Sequence, residues 1–196
     1  MRALLGFSVL LAVVLAGCGA PANVSPAAKT SPAAAGAEAD PDAPSCQNAQ
    51  LSARLGARTD LGNGQGTIPL IFTNTSPQPC RLRGAPIVVL HGPADPNGSD
   101  YALFHAVDSG RGLVLAPGAS GVARLAVLSD VDGAAGTNGS RHWVPTQLET
   151  DPFGHGKKTA GLIVPWPAGV SVLRQDGVAK PGSYVEGVKA DPTVTG

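Results

Sequence analysis

The most constraining feature of this sequence is a series of short apolar stretches, interrupted at close intervals by Gly, Pro, Asn and Asp. Apolar and polar residues alternate over 51–57, 68–72 and 123–127, which is the two-residue period of a half-buried strand. No stretch sustains an apolar stripe of helical period, so the chain is predicted to be an all-β antiparallel sandwich or barrel. Further short strands are predicted at 87–90, 113–115, 143–144, 147–149, 161–164, 170–173 and 184–188.

Two positions qualify this strand assignment. Residues 50–58 also fit a helix, because Leu51 and Leu55 would lie on one helical face. Pro69 has no N–H to donate to a neighbouring strand, and its strand is therefore predicted to lie at a sheet edge or to contain a bulge there.

The N-terminus has the composition of an export signal. Arg2 precedes an apolar stretch over residues 3–16, which is too short to span a bilayer of about 30 Å and has the length of a signal-peptide core. An uncleaved anchor and a cut after Gly17 or Ala20 are the alternatives. The run Leu15-Ala16-Gly17-Cys18 resembles the bacterial lipobox, in which the cysteine thiol is lipidated before cleavage. The resemblance implies that residues 1–17 are removed and that Cys18 anchors the chain to the membrane.

Residues 18–45 are predicted to be the lipidated cysteine and a disordered tether. The 27 residues after Cys18 contain ten Ala and five Pro, with Val24 as the one larger apolar side chain. Such a segment buries too little apolar surface to offset its ordering entropy, and a flexible chain of this length spans roughly 30 Å. The folded domain is predicted to cover residues 46–191, followed by a loose tail at 192–196.

Cys46 and Cys80 remain as an even pair in an exported chain. The default outside the cytoplasm is a disulfide, and a metal site is disfavoured because no CxxC or close Cys/His pair is present. Closing this loop is expected to stabilise the fold by about 4 kcal/mol through reduced chain entropy.

Charge and motifs argue against several function classes. The chain has 14 Lys+Arg and 14 Asp+Glu, so it lacks the positive surplus that nucleic-acid binding requires. The four histidines have no metal-ligand spacing, and no Gly-x-Ser-x-Gly or Ser-x-x-Lys motif is present. We therefore predict no catalytic residue, no metal and no cofactor. The enzymatic alternative is an envelope hydrolase or enzyme accessory that uses His91, Asp100 and His105.

Three acidic segments, the loops at residues 95–100 and 129–133 and Asp40 with Asp42 in the tether, supply the oxygen-rich composition that Ca²⁺ prefers. A Ca²⁺-binding sandwich is therefore a second alternative. Neither loop has the EF-hand spacing, and Pro-Asn-Gly and Asp-Gly are typical of hairpin turns, which is the interpretation we favour. The four Asn-x-Ser/Thr sequences, at Asn23, Asn74, Asn97 and Asn138, are interpreted as turn chemistry in the same way.

Aromatic side chains are the candidates for a binding surface, because exposed rings stack on sugars and anchor protein interfaces. The candidates are Tyr101, Trp143 and Trp166. Trp143 is expected to be buried between the sheets. Trp166 lies between Pro165 and Pro167 in a stiff segment, and it is the residue we expect first as an exposed contact.

A family resemblance follows from three groups of residues. Cys46 precedes an alternating strand, Phe72-Thr73-Asn74-Thr75-Ser76 is followed by Pro79-Cys80-Arg81-Leu82-Arg83-Gly84, and Leu115-Ala116-Pro117-Gly118 precedes another strand. Together they resemble a domain-of-unknown-function family that is widespread in actinobacterial lipoproteins and secreted or membrane-anchored proteins. The resemblance implies an immunoglobulin-like β-sandwich with a Cys46–Cys80 bond and no established activity.

These observations predict a bacterial cell-envelope lipoprotein on the extracytoplasmic face of the membrane. Its partners are expected to be the membrane, through Cys18, and an envelope polymer, a small ligand or another envelope protein. Its function is expected to be non-catalytic binding.

Overall fold

The computed structural model describes residues 42–106, 112–129, 142–152 and 160–190. The predicted signal peptide, Cys18, most of the tether and the tail lie outside these residues. By its internal contacts the chain divides into Met1–Ser31 and Pro32–Gly196, and every described residue belongs to the second unit. Within the described ranges, no helix has the length and apolarity needed to cross a membrane.

About half of the described residues, 53%, lie in strands and 2% in helix. A single short 3-10 helix, Asn48–Gln50, precedes the first strand. The strands are β1 (Leu51–Leu55), β2 (Thr59–Gly62), β3 (Gln65–Asn74), β4 (Cys80–Leu82), β5 (Ile87–Asp95), β6 (Gly98–Ala102), β7 (Phe104–His105), β8 (Leu113–Leu115), β9 (Ser120–Leu128), β10 (Gln147–Asp151), β11 (Leu162–Pro165), β12 (Tyr184–Val185) and β13 (Lys189–Ala190).

The larger sheet has the order β1-β3-β9-β12-β7, with β2 also paired to β3 and β13 to β9. Its centre is the long antiparallel pair β3 and β9, which stay in register from Gln65↔Leu128 to Thr73↔Ser120. The inward side chains of β3 are fully buried, as their alternation in the sequence predicts. They are Ile68, Leu70 and Phe72.

The second sheet has the order β11-β10-β5-β6, and β4 pairs with β8 in a small third sheet. Val88, Leu90 and Leu148 are fully buried on the inner face of the second sheet, and they belong to the same core cluster as the inward residues of β3. The sheets therefore pack across one shared hydrophobic core.

One continuous stretch of chain, residues 98–105, passes from the second sheet to the larger one. β6 pairs with β5, and the Leu103 N–H donates to the Val88 carbonyl at 2.9 Å. β7 then pairs in parallel with β12, and the Ala106 N–H donates to the Val185 carbonyl at 2.9 Å. This stretch fixes one border of the sandwich and, as described below, lines its candidate binding site.

The predicted immunoglobulin-like antiparallel β-sandwich with one disulfide is confirmed in its strand content, its packed sheets and its Cys46–Cys80 bond. The two cysteine Cα atoms are 4.7 Å apart, and the Cys46 N–H donates to the Arg81 carbonyl at 3.1 Å. The disulfide therefore joins the beginning of the domain to β4. The parallel pairing of β7 with β12 departs from the expected antiparallel pattern.

The sequence pattern located the long strands and missed short ones. Residues 51–55 form β1, which excludes the helical alternative there. β2, β4, β6, β7 and β13 were not predicted, because they are short or largely exposed and lack an alternating apolar signal. The strands predicted at 143–144 and 170–173 reduce to one isolated bridge, Trp143↔Val172.

The prediction for Pro69 was wrong. β3 is paired on both sides, and its register with β9 has no shift at Pro69↔Arg124. The missing N–H is tolerated because the pairing with β1 stops at Leu55↔Leu70 and the pairing with β2 starts at Thr59↔Thr67. Pro69 faces the break between the two strands, where its carbonyl still accepts from the Gly56 N–H at 2.8 Å.

Candidate functional site

The most unusual side chain of the domain is Arg174, which is fully buried. Its Nη1 donates to Asp95 Oδ1 at 3.1 Å, and its Nε and Nη2 donate to the two carboxylate oxygens of Asp176 at 3.1 and 3.0 Å. A buried guanidinium is tolerated only when its charge and its donors are matched in this way. We call Arg174, Asp95 and Asp176 the Arg174 cluster.

The guanidinium also holds the hairpin between β5 and β6. It donates to the main-chain carbonyls of Asn97, Gly98 and Asp100 at 3.0, 2.7 and 2.9 Å. Asp95 Oδ1 in turn accepts from the Asn97 N–H at 2.7 Å, which closes the turn. Asp95 Oδ1 and three main-chain carbonyls of this calcium candidate are therefore directed at an internal cation, whereas the Asp100 carboxylate contacts His91. The loop forms a hairpin turn, as the favoured interpretation predicted.

Two aromatic rings enclose the Arg174 cluster on its core side. The Arg174 Cζ lies 5.0 Å from the centroid of Trp143 and 5.5 Å from that of Tyr101, and the two rings meet edge to face at 6.4 Å. These distances are those of cation–π contacts. The Trp143 indole N–H donates to the Pro93 carbonyl at 2.8 Å, and burial raises the pKa of the Tyr101 phenol.

The prediction of exposed aromatic contacts was wrong for Trp166. Its exposed fraction is 6%, and its indole N–H donates to the Val170 carbonyl at 2.8 Å. The segment folds back after Trp166, with the Val170 N–H donating to the Pro167 carbonyl at 3.3 Å, and the ring packs in the core cluster. The expected burial of Trp143 is confirmed. Tyr101 is also buried, although it forms part of the wall of the groove described below.

A second polar group lies on the outer face of the second sheet. His91 is opposite Asp100 across β5 and β6, and its Nδ1 is 2.9 Å from Asp100 Oδ1. On its other side, His91 Nε2 is 3.4 Å from Glu149 Oε2 of β10. The alternation of strand side chains brings these three together, because their neighbours in each strand point into the core. We call Asp100, His91 and Glu149 the outer-face row.

The outer-face row satisfies part of the geometry that the enzymatic alternative requires. The hydrogen bond from His91 lowers the pKa of Asp100 below its usual value of 3.8. The Ser99 hydroxyl is bonded to Asp100 Oδ1 at 3.1 Å, which is the wrong partner for a serine nucleophile. His105 lies on β7 in the other sheet, so the structure brings together two of the three predicted residues.

An open groove of about 270 Å³ lies between residues 101–104 and the loop that follows Arg174. Two large apolar side chains line it and remain exposed, Phe104 at 50% and Val178 at 40%. We call it the Phe104 groove. Its other lining residues are Tyr101, Ala102, Leu103, Gln175, Asp176, Gly177 and Pro181.

A second groove, of about 400 Å³, crosses the larger sheet between β9 and β13 and is charged. Glu186 forms a hydrogen-bonded ion pair with Arg124, and Lys189 Nζ lies 3.6 Å from the same carboxylate. Hydrogen bonding to Arg124 lowers the pKa of Glu186 and raises that of Arg124. The charged side chains of this groove contact one another, and none of the exposed large apolar side chains that the structure describes lines it, so it offers less apolar surface to a ligand than the Phe104 groove.

Among the residues that the structure describes, no three or more His, Cys, Asp or Glu side chains lie together where they could hold a metal ion. Most of the second acidic loop, including Asp130 and Asp132, lies outside those residues.

The side chain of Asn74, the first residue of Asn74-Thr75-Ser76, is hydrogen-bonded within the turn that follows β3. Its buried side chain donates to the carbonyls of Gln78 and Leu115 at 2.7 and 2.9 Å, and its Oδ1 accepts from the Ser76 N–H at 2.9 Å. The side chain thus ties the end of β3 to the segment around Cys80 and to β8. This confirms turn chemistry at Asn74, because no part of its amide is left for modification.

Fold and disulfide place the described part of the chain among the disulfide-stapled all-β sandwich domains. Residues 46–160, more than half of the chain, match the family described as Domain of unknown function (DUF4232), and the chain belongs to that family. Comparisons with curated proteins and with solved structures gave no match.

Sequence reasoning missed Arg174 and did not select Phe104. Arg174 occurs in Leu173-Arg174-Gln175-Asp176, where a solvated arginine is the ordinary expectation. The one signal in the sequence was Asp176, two residues further on, which could form a local ion pair with Arg174. Phe104 was not among the candidate contact residues, and its exposure follows from the short β7 at the sheet border.

Proposed function

We propose that this protein is a lipid-anchored binding module of the cell envelope, attached to the membrane through Cys18, with the Phe104 groove as its non-catalytic binding surface. The observation that carries the binding role is the exposure of Phe104 and Val178 around one groove. The lipobox resemblance supports the anchor.

The physical argument rests on the unfavourable hydration of apolar side chains. Removing apolar surface from water contributes roughly 25 cal/mol per Å². A ligand that buries both Phe104 and Val178 therefore gains binding free energy from surface that is exposed to water in the free protein. Binding sites are also typically formed by loops and strand ends on a rigid scaffold. The Phe104 groove has this construction, because the Arg174 cluster fixes the segments on both of its sides.

The enzymatic alternative is supported by one contact, the 2.9 Å separation of His91 Nδ1 and Asp100 Oδ1. A general acid or base needs a substrate held beside it, usually in a concave site. The outer-face row stands on the face of a sheet, whereas the residues that line the Phe104 groove include no histidine. This separation of acid–base groups from the groove favours binding over catalysis.

The anchor is tested by fractionating cells that express the full chain or its Cys18→Ala variant. The full chain is expected in the membrane fraction and the variant in the soluble fraction, because two or more acyl chains are needed for stable anchoring. Ser25→Ala in the tether serves as the matched control. Retention of Cys18→Ala in the membrane would contradict the lipoprotein assignment.

The binding role is tested by a thermal-shift screen of the full chain in detergent against envelope sugars, peptidoglycan fragments and Ca²⁺. A ligand at 100 times its Kd stabilises the native state by about 2.7 kcal/mol, which raises the unfolding midpoint by a few degrees. Phe104→Ala should abolish the shift, and Ile163→Ala, which alters an equally exposed side chain on the other sheet, should preserve it. A shift that survives Phe104→Ala and is lost in His91→Ala would favour the enzymatic alternative.

A further inference from the structure

The two sheets differ in the charge of the side chains that they turn outward. The strands of the second sheet, β5, β6, β10 and β11, contain no Lys or Arg, and the solvent-accessible carboxylates of Asp100 and Glu149 point out from them. Alternation along β1, β9 and β13 directs three cations out from the larger sheet, where one carboxylate accompanies them. The cations are Arg54, Arg124 and Lys189, and the carboxylate is Glu186. Among its described residues, this face therefore has a surplus of two positive charges.

The three cations lie close together because their strands are neighbours. One cross-strand row runs from Arg54 on β1 through β3 and β9 to Lys189 on β13. Neighbouring strands are about 4.8 Å apart, so this row spans about 14 Å. Arg124 projects from the next row, two residues along β9 from Val122, which belongs to the first row. We call the surface formed by Arg54, Arg124 and Lys189 the basic face.

The cations of the basic face are accessible to a ligand. Arg54 is exposed and forms no ion pair within the described ranges. Arg124 and Lys189 share the single carboxylate of Glu186, and their side chains are 51% and 69% exposed, whereas that of Glu186 is 18% exposed. Glu186 therefore positions two cations without neutralising both. Guanidinium and ammonium groups of this kind bind phosphate oxygens through charge-assisted hydrogen bonds.

The chain enters the domain beside the basic face. β1 begins at Leu51, five residues after Cys46, and Arg54 is its fourth residue. The one outward row between the start of β1 and Arg54 carries hydroxyl side chains and no carboxylate. Its residues are Ser52, Thr73 and Ser120. The tether predicted for residues 18–45 would span roughly 30 Å, so the basic face is within reach of a membrane that holds Cys18.

An anionic membrane surface complements this arrangement. Each Lys or Arg close to such a surface raises the binding constant about fivefold. A tether makes docking intramolecular, at an effective concentration in the millimolar range, so a weak attraction is enough to populate the docked state. The same surface repels the carboxylates that point out from the second sheet, and this repulsion selects the face that turns toward the membrane.

We propose that the basic face docks the domain on the anionic headgroups of the membrane that holds Cys18, with Arg54, Arg124 and Lys189 at the lipid phosphate groups. This inference rests on the proposed function, because it requires the lipid anchor. It adds a second contact with the membrane and an orientation, in which the outer-face row of the second sheet is turned away from the bilayer.

The test uses ¹⁵N-labelled, lipidated full chain in nanodiscs that contain a trace of a lipid with a gadolinium headgroup. One sample has equal parts of phosphatidylglycerol and phosphatidylcholine, and the other has phosphatidylcholine alone. In the mixed nanodiscs, the gadolinium should broaden the amide resonances of Val122 and Lys189 and leave those of Val89 and Ile163, on the second sheet, unchanged. Broadening of the first pair should be lost in phosphatidylcholine alone and in 1 M NaCl.

Matched variants identify the cations that are responsible. The ratio of docked to undocked chain, read from the broadening, should fall about fivefold in Lys189→Gln and about 25-fold in the double variant Arg54→Gln, Lys189→Gln. Lys180→Gln is the control, since it removes an exposed lysine outside the basic face. An equal loss in Lys180→Gln would overturn the assignment to the basic face.

The remaining outcomes separate this inference from the proposed function. If the chain stays on the nanodiscs but both sheets are broadened equally, or phosphatidylglycerol makes no difference, the anchor stands and the docking is wrong. Inorganic phosphate that shifts the Lys189 resonance while the lipids cause no broadening would assign the basic face to a soluble anion and overturn membrane docking. If the chain does not remain on the nanodiscs, the lipid anchor fails and the inference fails with it.

Discussion

The Arg174 cluster and the outer-face row are two groups of charged side chains that meet at one residue, Asp100. The main-chain carbonyl of Asp100 accepts from the buried Arg174, whereas its carboxylate, 63% exposed, contacts His91 on the outer face. Both groups join strands by similar contacts. They differ in their access to water, and this difference sets how strongly each is expected to affect stability and pH dependence.

A buried ion and its partners have no solvent to replace a lost contact, whereas exposed partners do. Breaking a buried pair by removing one partner typically costs about 3–5 kcal/mol, and an exposed pair is worth about 0–1 kcal/mol. The hairpin that borders the Phe104 groove therefore depends on the Arg174 cluster, and the outer-face row is expected to contribute little to the stability of the domain. Four substitutions test this contrast.

The largest effect is expected for Arg174→Met. The substitution keeps an apolar stem but removes the cation that faces the buried carboxylate of Asp95 and the donor to three main-chain carbonyls. We expect the free energy of unfolding in urea to fall by about 3–5 kcal/mol. Arg124→Met is the matched control, since Arg124 is half exposed, and should cost less than about 1 kcal/mol. Equal effects of the two substitutions would remove the proposed contrast.

A smaller loss is expected for Trp143→Phe, which keeps an aromatic ring beside Arg174. It removes the hydrogen bond to the Pro93 carbonyl and part of the ring surface. We expect a decrease of about 1–3 kcal/mol in the free energy of unfolding. Trp166→Phe removes the corresponding indole bond to Val170 away from the cluster, and it should show the same cost without altering the hairpin resonances of residues 95–100. Hairpin changes in both variants would contradict the role given to Trp143.

His91→Gln should change titration more than stability. The bond to His91 holds the pKa of Asp100 below 3.8, so the stabilisation by this bond is present above the unfolded pKa and is lost as pH falls through the folded pKa. Carboxyl NMR titration should show the Asp100 pKa rising toward its ordinary value in the variant. We expect less than about 1 kcal/mol of destabilisation at neutral pH. An unchanged Asp100 pKa would show that the His91 contact does not persist in solution.

The smallest effect is expected for Glu186→Gln in the charged groove. Glu186 has a lowered pKa because of Arg124, so its contribution is likewise present at neutral pH and lost on acidification. The Arg124 side chain is 51% exposed and that of Glu186 is 18% exposed, so solvent still reaches the pair. The loss at pH 7 should be about 0.5 kcal/mol, decreasing further in 1 M NaCl. A loss above about 2 kcal/mol that does not change with salt would show that this pair is shielded from solvent, like the Arg174 cluster.

Much of the fold could be predicted from the sequence because the relevant information is local or pairwise. The alternation of Ile68, Leu70 and Phe72 identifies a strand and its buried face. Cys46 and Cys80, the two cysteines outside the lipobox-like sequence, predict the disulfide that the structure contains. The family resemblance rested on Asn74, Cys80 and their neighbours, which the structure shows tied together through the Asn74 side chain. These features are set by neighbouring residues or by one pair of residues, so predicting them does not require knowing how remote segments pack.

The candidate site was decided by tertiary structure. Arg174 and Asp95 are separated by 79 positions, and no local pattern indicates that one will bury the charge of the other. Trp166 was misjudged because its flanking prolines stiffen the segment without saying which way it folds. The groove exists because residues 98–105 pass from one sheet to the other. Periodicity reports which residues alternate along a strand, whereas the partner on each edge depends on segments that only the folded chain brings together.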